Sequence, residues 1–142
     1  LTPHIGEFGR LVAKEGPMSD TERRERAIDL AIRCDVVVVL KGHQTFITDG
    51  RRSEVNTTGN PGMATGGTGD VLTGVLVALL GQGLDPFQAA HLGTHVHGLA
   101  GDLAAAELGQ VSMYARDLLD FLPAAFKSLS GTPVDVACDA AK

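Results

Sequence analysis

Between positions 36 and 40 the chain reads Val-Val-Val-Val-Leu, without a polar interruption. A strand with one wet face alternates in polarity, whereas one that is apolar throughout is buried on both faces, as in parallel sheets covered by helices. The preceding stretch has helical spacing. Ser19-Asp20-Thr21-Glu22 offers a cap and an S-x-x-E box, and Ala27, Leu30 and Ala31 share one inner face. Arg23, Arg24, Glu25 and Arg26 read as its solvated side. Upstream, Leu1-Thr2-Pro3 reads as the exit of a buried strand, and 6–14 as a short helix carrying Phe8, Leu11 and Val12 inward. Downstream, 44–48 and 53–57 form two short strands about an Asp49-Gly50 turn, widened by Arg51 and Arg52. Positions 71–80 contain so little polarity that the spacing predicts a buried helix. Asp85-Pro86 places a cap before an N1 proline and opens a helix to Leu108, with an interruption expected at Gly93, Gly98 or Gly101. An amphipathic helix is predicted over 115–129, and 130–142 is a poorly patterned tail. Helix followed by a doubly buried strand makes this an α/β protein.

Composition narrows the choices. A chain of 142 residues suffices for one domain with a real core. Twelve Lys and Arg against 17 Asp and Glu leave a net charge of −5, which argues against nucleic acid as a partner. Hydrophobic residues make up 44% and charged ones 20%, a globular balance, and no apolar run approaches the roughly 20 residues of a membrane span. Cys34 and Cys138 lie far apart without ligand-like spacing and read as reduced thiols of a cytoplasmic protein. The 18 glycines are concentrated between 59 and 83. The start at Leu1, inside what reads as a strand exit, leads us to expect a fragment or a processed half.

The chemistry gathers at Asn60-Pro61-Gly62-Met63-Ala64-Thr65-Gly66-Gly67-Thr68-Gly69-Asp70. Unpaired N–H groups at a helix start carry partial positive charge, and glycine lets an anion approach them closely. Gly66, Gly67, Thr68 and Gly69 are therefore a candidate anion hole, although no Lys-Ser or Lys-Thr follows as in a Walker loop. A carboxylate beside an anion is repulsive, so Asp70 is better placed as the base that takes a proton from an attacking hydroxyl. Its plainer alternative is a helix cap. Lys41-Gly42-His43-Gln44-Thr45 follows the buried strand, where open parallel sheets bind ligands. Lys41 there is either a point charge for phosphate or a solvated loop residue. His4 and Glu7, three apart, share a side of a first helical turn. His91 and His95 have metal-like spacing but lack the glutamate of H-E-x-x-H, and packing explains them and His97 better.

Three segments, 2–7 (TPHIGE), 40–45 (LKGHQT) and 60–74 (NPGMATGGTGDVLTG), resemble the ADP/ATP-dependent NAD(P)H-hydrate dehydratases, and 97–102 (HGLAGD) is similar to them as well. The resemblance covers nearly all of 1–129. It implies a three-layer αβα ribokinase-like fold with a mostly parallel central sheet, of which this chain is the C-terminal half. It further implies dehydration of the S form of hydrated NADH or NADPH, driven by ADP or ATP with magnesium. Carried over by position, Asp70 is the base and touches the hydrate, as does His4. Gly66 to Gly69 hold the transferring phosphate, and Lys41, Gly42, His43, Gln44, Thr45 and Gly69 contact the adenine nucleotide. Glu7 stands where related kinases place the Glu of N-x-x-E, which holds magnesium through water, with His4 in place of the Asn. Members of the family carry a comparable length of chain before Thr2, so half of the crevice is expected to come from elsewhere, and a homotetramer is implied. A small-alcohol kinase of the same superfamily and a non-catalytic nucleotide-binding regulator remain the alternatives.

Overall fold

The computed structural model describes residues 1–129; the tail 130–142, with Cys138, lies outside the described residues. The apolar run forms β1 (Val38–Leu40), shorter than the expected 36–40 and buried throughout. Its two edges are paired differently. On one, β1 runs antiparallel to β2 (Phe46–Thr48), which pairs with β3 (Ser53–Val55). On the other, Leu1 to His4 run parallel to it: Leu1 N donates to Val37 O at 2.7 Å, Val39 N to Leu1 O at 2.8 Å and Lys41 N to Pro3 O at 2.8 Å. Pro3 has no N–H, so one rung of this ladder is missing. The expectation of a parallel neighbour thus holds for 1–4, while the pairings among the named strands are antiparallel. The expected strands 44–48 and 53–57 shorten as well, because Gln44 adopts a left-handed conformation (φ 58°) that ends the extended backbone.

Both faces of β1 are covered. Val38 and Leu40 meet Phe8 of α1 (Ile5–Leu11) and Ala27, Leu30 and Ala31 of α2 (Asp20–Cys34). Val39 and Ile47 meet Leu72 and Leu76 of α3 (Thr68–Gly81) and Phe87 and Ala90 of α4 (Pro86–Leu108). Helices, sheet and helices give the αβα layering. Ile47, completely buried, contributes about 1.5–3 kcal/mol. Outside α4 lies α5 (Ala115–Leu129), whose Leu118 and Ala125 are sealed against Ala104 and Val96. Among the described residues no helix is long and apolar enough to cross a membrane.

Several local expectations are corrected. The first helix covers Ile5–Leu11 rather than 6–14, and Ala13 beyond it takes φ 49°. Ser19 caps α2 through Glu22 N at 3.1 Å, but the Glu22 carboxylate turns to Arg26 and Lys14, so the S-x-x-E box is only half formed. α3 is not wholly buried: Leu72, Val75, Leu76 and Leu79 face inward, while Val77 and Leu80 face water. The arginines of α2 are not all solvated, since Arg23, Arg24 and Arg26 are partly buried and the Arg24 guanidinium lies 5.4 Å from the centre of the Phe46 ring.

α4 runs unbroken through Gly93, Gly98 and Gly101. The reason is close approach. A Cβ on Gly93 would stand 2.6 Å from Leu76, on Gly98 2.7 Å from the Thr58 backbone, and on Gly101 2.2 Å from Met63. Glycine costs a helix about 1 kcal/mol, and tertiary packing offsets it here. The β2–β3 hairpin is fastened to the same helix. Asp49 accepts from the backbone N–H of Arg51 and Arg52 at 2.8 and 2.6 Å, and Arg52 also reaches Asp85, the N-cap of α4, at 3.0 Å while stacking over Phe87. Partial burial pushes the Asp49 carboxyl up, but these N–H donors and the Arg52 guanidinium outweigh it and lower its pKa to about 2.

Gly98→Ala is expected to cost roughly 1–3 kcal/mol, because Thr58 backbone rather than a pliable side chain stands in the way; thermal unfolding of the variant beside the parent measures it. Asp49 has a folded pKa below its ordinary 3.8, so its stabilisation is present above that value and is lost as pH falls toward about 2. Denaturant titrations should therefore show Asp49→Asn less stable than the parent at neutral pH, with the gap closing across that acid window.

Candidate active site

The end of β1, the end of the parallel segment and the start of α3 meet at one edge of the fold. Backbone pairing sets His4 beside Lys41. The Lys41 side chain then reaches the glycine loop: its Nζ lies 3.2 Å from where a Cβ on Gly69 would stand. The Lys41 ammonium thus lies against the glycine loop. Gly67 is the N-cap of α3 with φ 92°, a conformation only glycine adopts easily, and a Cβ there would also press on Ala115 at 3.0 Å. Among the described residues no side chain accepts from the first-turn amides of α3. Thr68, instead of capping, turns its Oγ1 to Met63 O and Thr65 O at 2.9 and 3.0 Å and closes the loop on itself.

Asp70 occupies the third position of α3, exposed, and its carboxylate has no hydrogen bond or ion pair among the described residues. A helix cap is therefore not its role here. The first turn of α3 thus presents one unengaged carboxylate, with the Lys41 ammonium brought to it from the end of β1, an arrangement able to hold an anion and to accept a proton beside it.

Asn56 and Thr58, which the sequence patterns did not single out, hold this loop in place together with Asn60 and Asp102. Asn56, buried, gives its side-chain N–H groups to Thr58 O and Thr94 O at 3.1 and 3.3 Å. Thr58 Oγ1 donates to His95 O at 2.9 Å, and Asn60 Nδ2 to Gly101 O at 2.9 Å and Asp102 Oδ1 at 3.0 Å. The other Asp102 oxygen takes Gly59 N at 2.8 Å. The visible signal was a polar run, Asn56-Thr57-Thr58-Gly59-Asn60, directly after a strand, together with Asp102, one of two acids in a helix rich in small residues. His97 adds a further brace. Its Nε2 lies 2.9 Å from Thr68 O, a carbonyl that only accepts, so Nε2 carries the proton. Burial lowers the His97 pKa, the Thr68 carbonyl opposes that, and the charge of Lys41 adds to it. His91 is exposed and lies near the Phe87 ring, and among the described residues no group of three His, Cys, Asp or Glu side chains converges on a metal position.

His4 and Glu7 form the capping box expected of Ser19 and Glu22. His4 Nδ1 accepts from Gly6 N and Glu7 N at 3.0 and 3.2 Å, and Glu7 Oε2 accepts from His4 N at 2.8 Å. That backbone N–H lowers the Glu7 pKa, and after an opposing contribution from burial, the nearby His4, Lys41 and Arg10 lower it further. In the 42–45 turn, Thr45 Oγ1 bonds Gly42 O at 3.2 Å, while Gly42, His43 and Gln44 line a cleft shared with α2.

Comparison with known proteins places these features in a lineage. The model of the NAD(P)H-hydrate dehydratase family matches residues 1–124. The bifunctional NAD(P)H-hydrate repair enzyme Nnr of Moorella thermoacetica is 50% identical over 131 residues, 91% of this chain and 24% of that protein. The crystal structure of the ADP/ATP-dependent NAD(P)H-hydrate dehydratase of Bacillus subtilis, co-crystallised with ATP and Mg²⁺ and soaked with CoA, superposes with a TM-score of 0.80 at 36% identity. It is covered over 48% of its length by 90% of this chain. A ribokinase-like superfamily protein from Enterococcus faecalis superposes at 0.68 with 32% identity, covering 89% of this chain and 43% of its own. The chain thus spans about half of the solved relatives and a quarter of the bifunctional one, with the ribokinase-like αβα fold. A family match across most of the chain, joined to a glycine loop built against α4 with Lys41 at its mouth, shows that this chain belongs to the NAD(P)H-hydrate dehydratase family.

Proposed function

We propose that the chain is the C-terminal half of a dehydratase domain, residues 1–129, acting on hydrated NADH or NADPH with ADP or ATP as the phosphoryl donor. The observation that carries the proposal is the approach of Lys41 Nζ to Gly69 beside the unengaged carboxylate of Asp70. In this reading the amides of Gly66 to Gly69 and the Lys41 ammonium receive the terminal phosphoryl group, where charge builds up in transfer. Asp70 takes the proton from the ring hydroxyl of the hydrate. The hydroxyl oxygen bonds to phosphorus as the bond from phosphorus to the bridging oxygen breaks, releasing AMP from ADP or ADP from ATP. The ring nitrogen then supplies the electrons that expel phosphate, and loss of a ring proton restores the reduced nicotinamide. Gly42, His43, Gln44 and Thr45 contact the adenine nucleotide, and His4 the hydrated coenzyme.

A magnesium ion fits this edge through water rather than through a protein cage. Glu7 offers a carboxylate of lowered pKa whose oxygens are already directed by His4, and Mg²⁺ is usually held by one or two carboxylates with waters and phosphates. Bound there, it would neutralise phosphate charge. A homo-oligomer, a tetramer by resemblance, and a cytoplasmic setting belong to the same reading. The Bacillus subtilis relative, co-crystallised with ATP and Mg²⁺, supports the nucleotide and the metal.

Residues 1–142 alone are expected to turn over synthetic NADPH hydrate weakly, because about half of the relatives' domain is absent from them; full activity from the isolated chain would refute the shared crevice. In a protein of the relatives' full length carrying this segment, Asp70→Asn should lower turnover by at least about 100-fold while leaving ADP binding largely intact. Unchanged turnover would reduce Asp70 to a bystander, and a phosphorylated product that persists would make the protein a kinase.

A further inference from the structure

The 42–45 turn also borders α2. There a cleft of about 290 Å³ lies against α2, with Asp20, Arg23, Arg24, Lys41, His43 and Gln44 supplying its polar walls and Ile5, Leu40 and Phe46 its apolar ones. Three cationic side chains face one carboxylate in a protein whose net charge is −5. Arg23 is engaged by Asp20. Arg24 is partly buried and lies over the Phe46 ring; it feels the charge of Asp20 but makes no hydrogen bond or ion pair among the described residues. A guanidinium over a ring face makes no hydrogen bond to it, and its fork of N–H groups matches the paired oxygens of a phosphate. The stem of Lys41 lines the cleft while its Nζ reaches Gly69, so the cleft opens beside the glycine loop.

We propose that this cleft is an anion subsite in which Arg24 binds a phosphate group on the arm of a nucleotide. The nucleotide carrier rests on the dehydratase reading; the anion chemistry stands on Arg24 and the cleft. Two sources share that chemistry, the adenine nucleotide and the hydrated coenzyme.

Calorimetry of the 142-residue chain with pyrophosphate, ADP, NAD⁺ and NADP⁺ tests it. The parent should bind pyrophosphate, and Arg24→Gln should weaken that binding about tenfold, the scale of one charge-assisted hydrogen bond. Arg24→Lys, which keeps the charge and the stem over Phe46 but not the fork, should recover only part of the loss. Arg33→Gln at the other end of α2, paired with Asp29 and outside the cleft, should change nothing. A loss on ADP assigns the subsite to the adenine nucleotide, and a loss on NADP⁺ but not NAD⁺ assigns it to a ribose phosphate of the coenzyme. No pyrophosphate binding by the parent, equal binding by Arg24→Gln, or an equal loss with Arg33→Gln overturns the proposal. The dehydratase reading is judged separately, by turnover with Asp70→Asn in the full-length protein.

Discussion

Hydrogen bonds from an irregular polar run to the side of α4 are the constraint on which the candidate site depends. A glycine-rich segment loses more conformational entropy on ordering than any other, so it holds one shape only when its surroundings impose it. Here Asn56, Thr58 and Asn60 tie the backbone to Thr94, His95, Gly101 and Asp102, and the glycines of α4 remove the bulk that would keep the two apart. Buried polar groups left unpaired would cost kilocalories each, and none of these is left so. The loop is therefore pinned where it meets the helix, while Gly66 and Gly67 stay exposed.

The capping of α1 joins this edge from the other side. His4 spends its Nδ1 on two backbone amides, which leaves only Nε2 for a ligand, 3.5 Å from Glu7 Oε1. The same two residues that the family resemblance assigns to coenzyme and metal thus also terminate a helix. Their positions are set by local backbone geometry, and groups fixed in this way carry a lower ordering cost in any binding they take part in.

Much of this was legible from residue patterns. Five consecutive apolar residues announced a doubly buried strand because no half-exposed strand tolerates them, and α5 emerged with its expected bounds because its amphipathic stripe is strong. What failed was local logic applied where distant contacts decide. The expected break in α4 rested on glycine propensity, yet Met63, Thr58 and Leu76 occupy the space those glycines vacate. Arg24 looked solvated because Phe46, 22 positions away, could not be placed over it from spacing alone. The glycine loop and Asp70 stood out by composition, whereas His97 and Asp102, though in a segment similar to the family, act through partners tens of residues distant that spacing does not reveal.

Arg52 has its own consequence for motion. It holds Asp49 in the hairpin turn and Asp85 at the cap of α4, and it rests on Phe87 two residues further in. Fraying of either end strips partners from the other, so the tip of the hairpin and the opening turn of α4 form one cooperative unit, and their backbone amides would exchange with solvent deuterium at a shared rate.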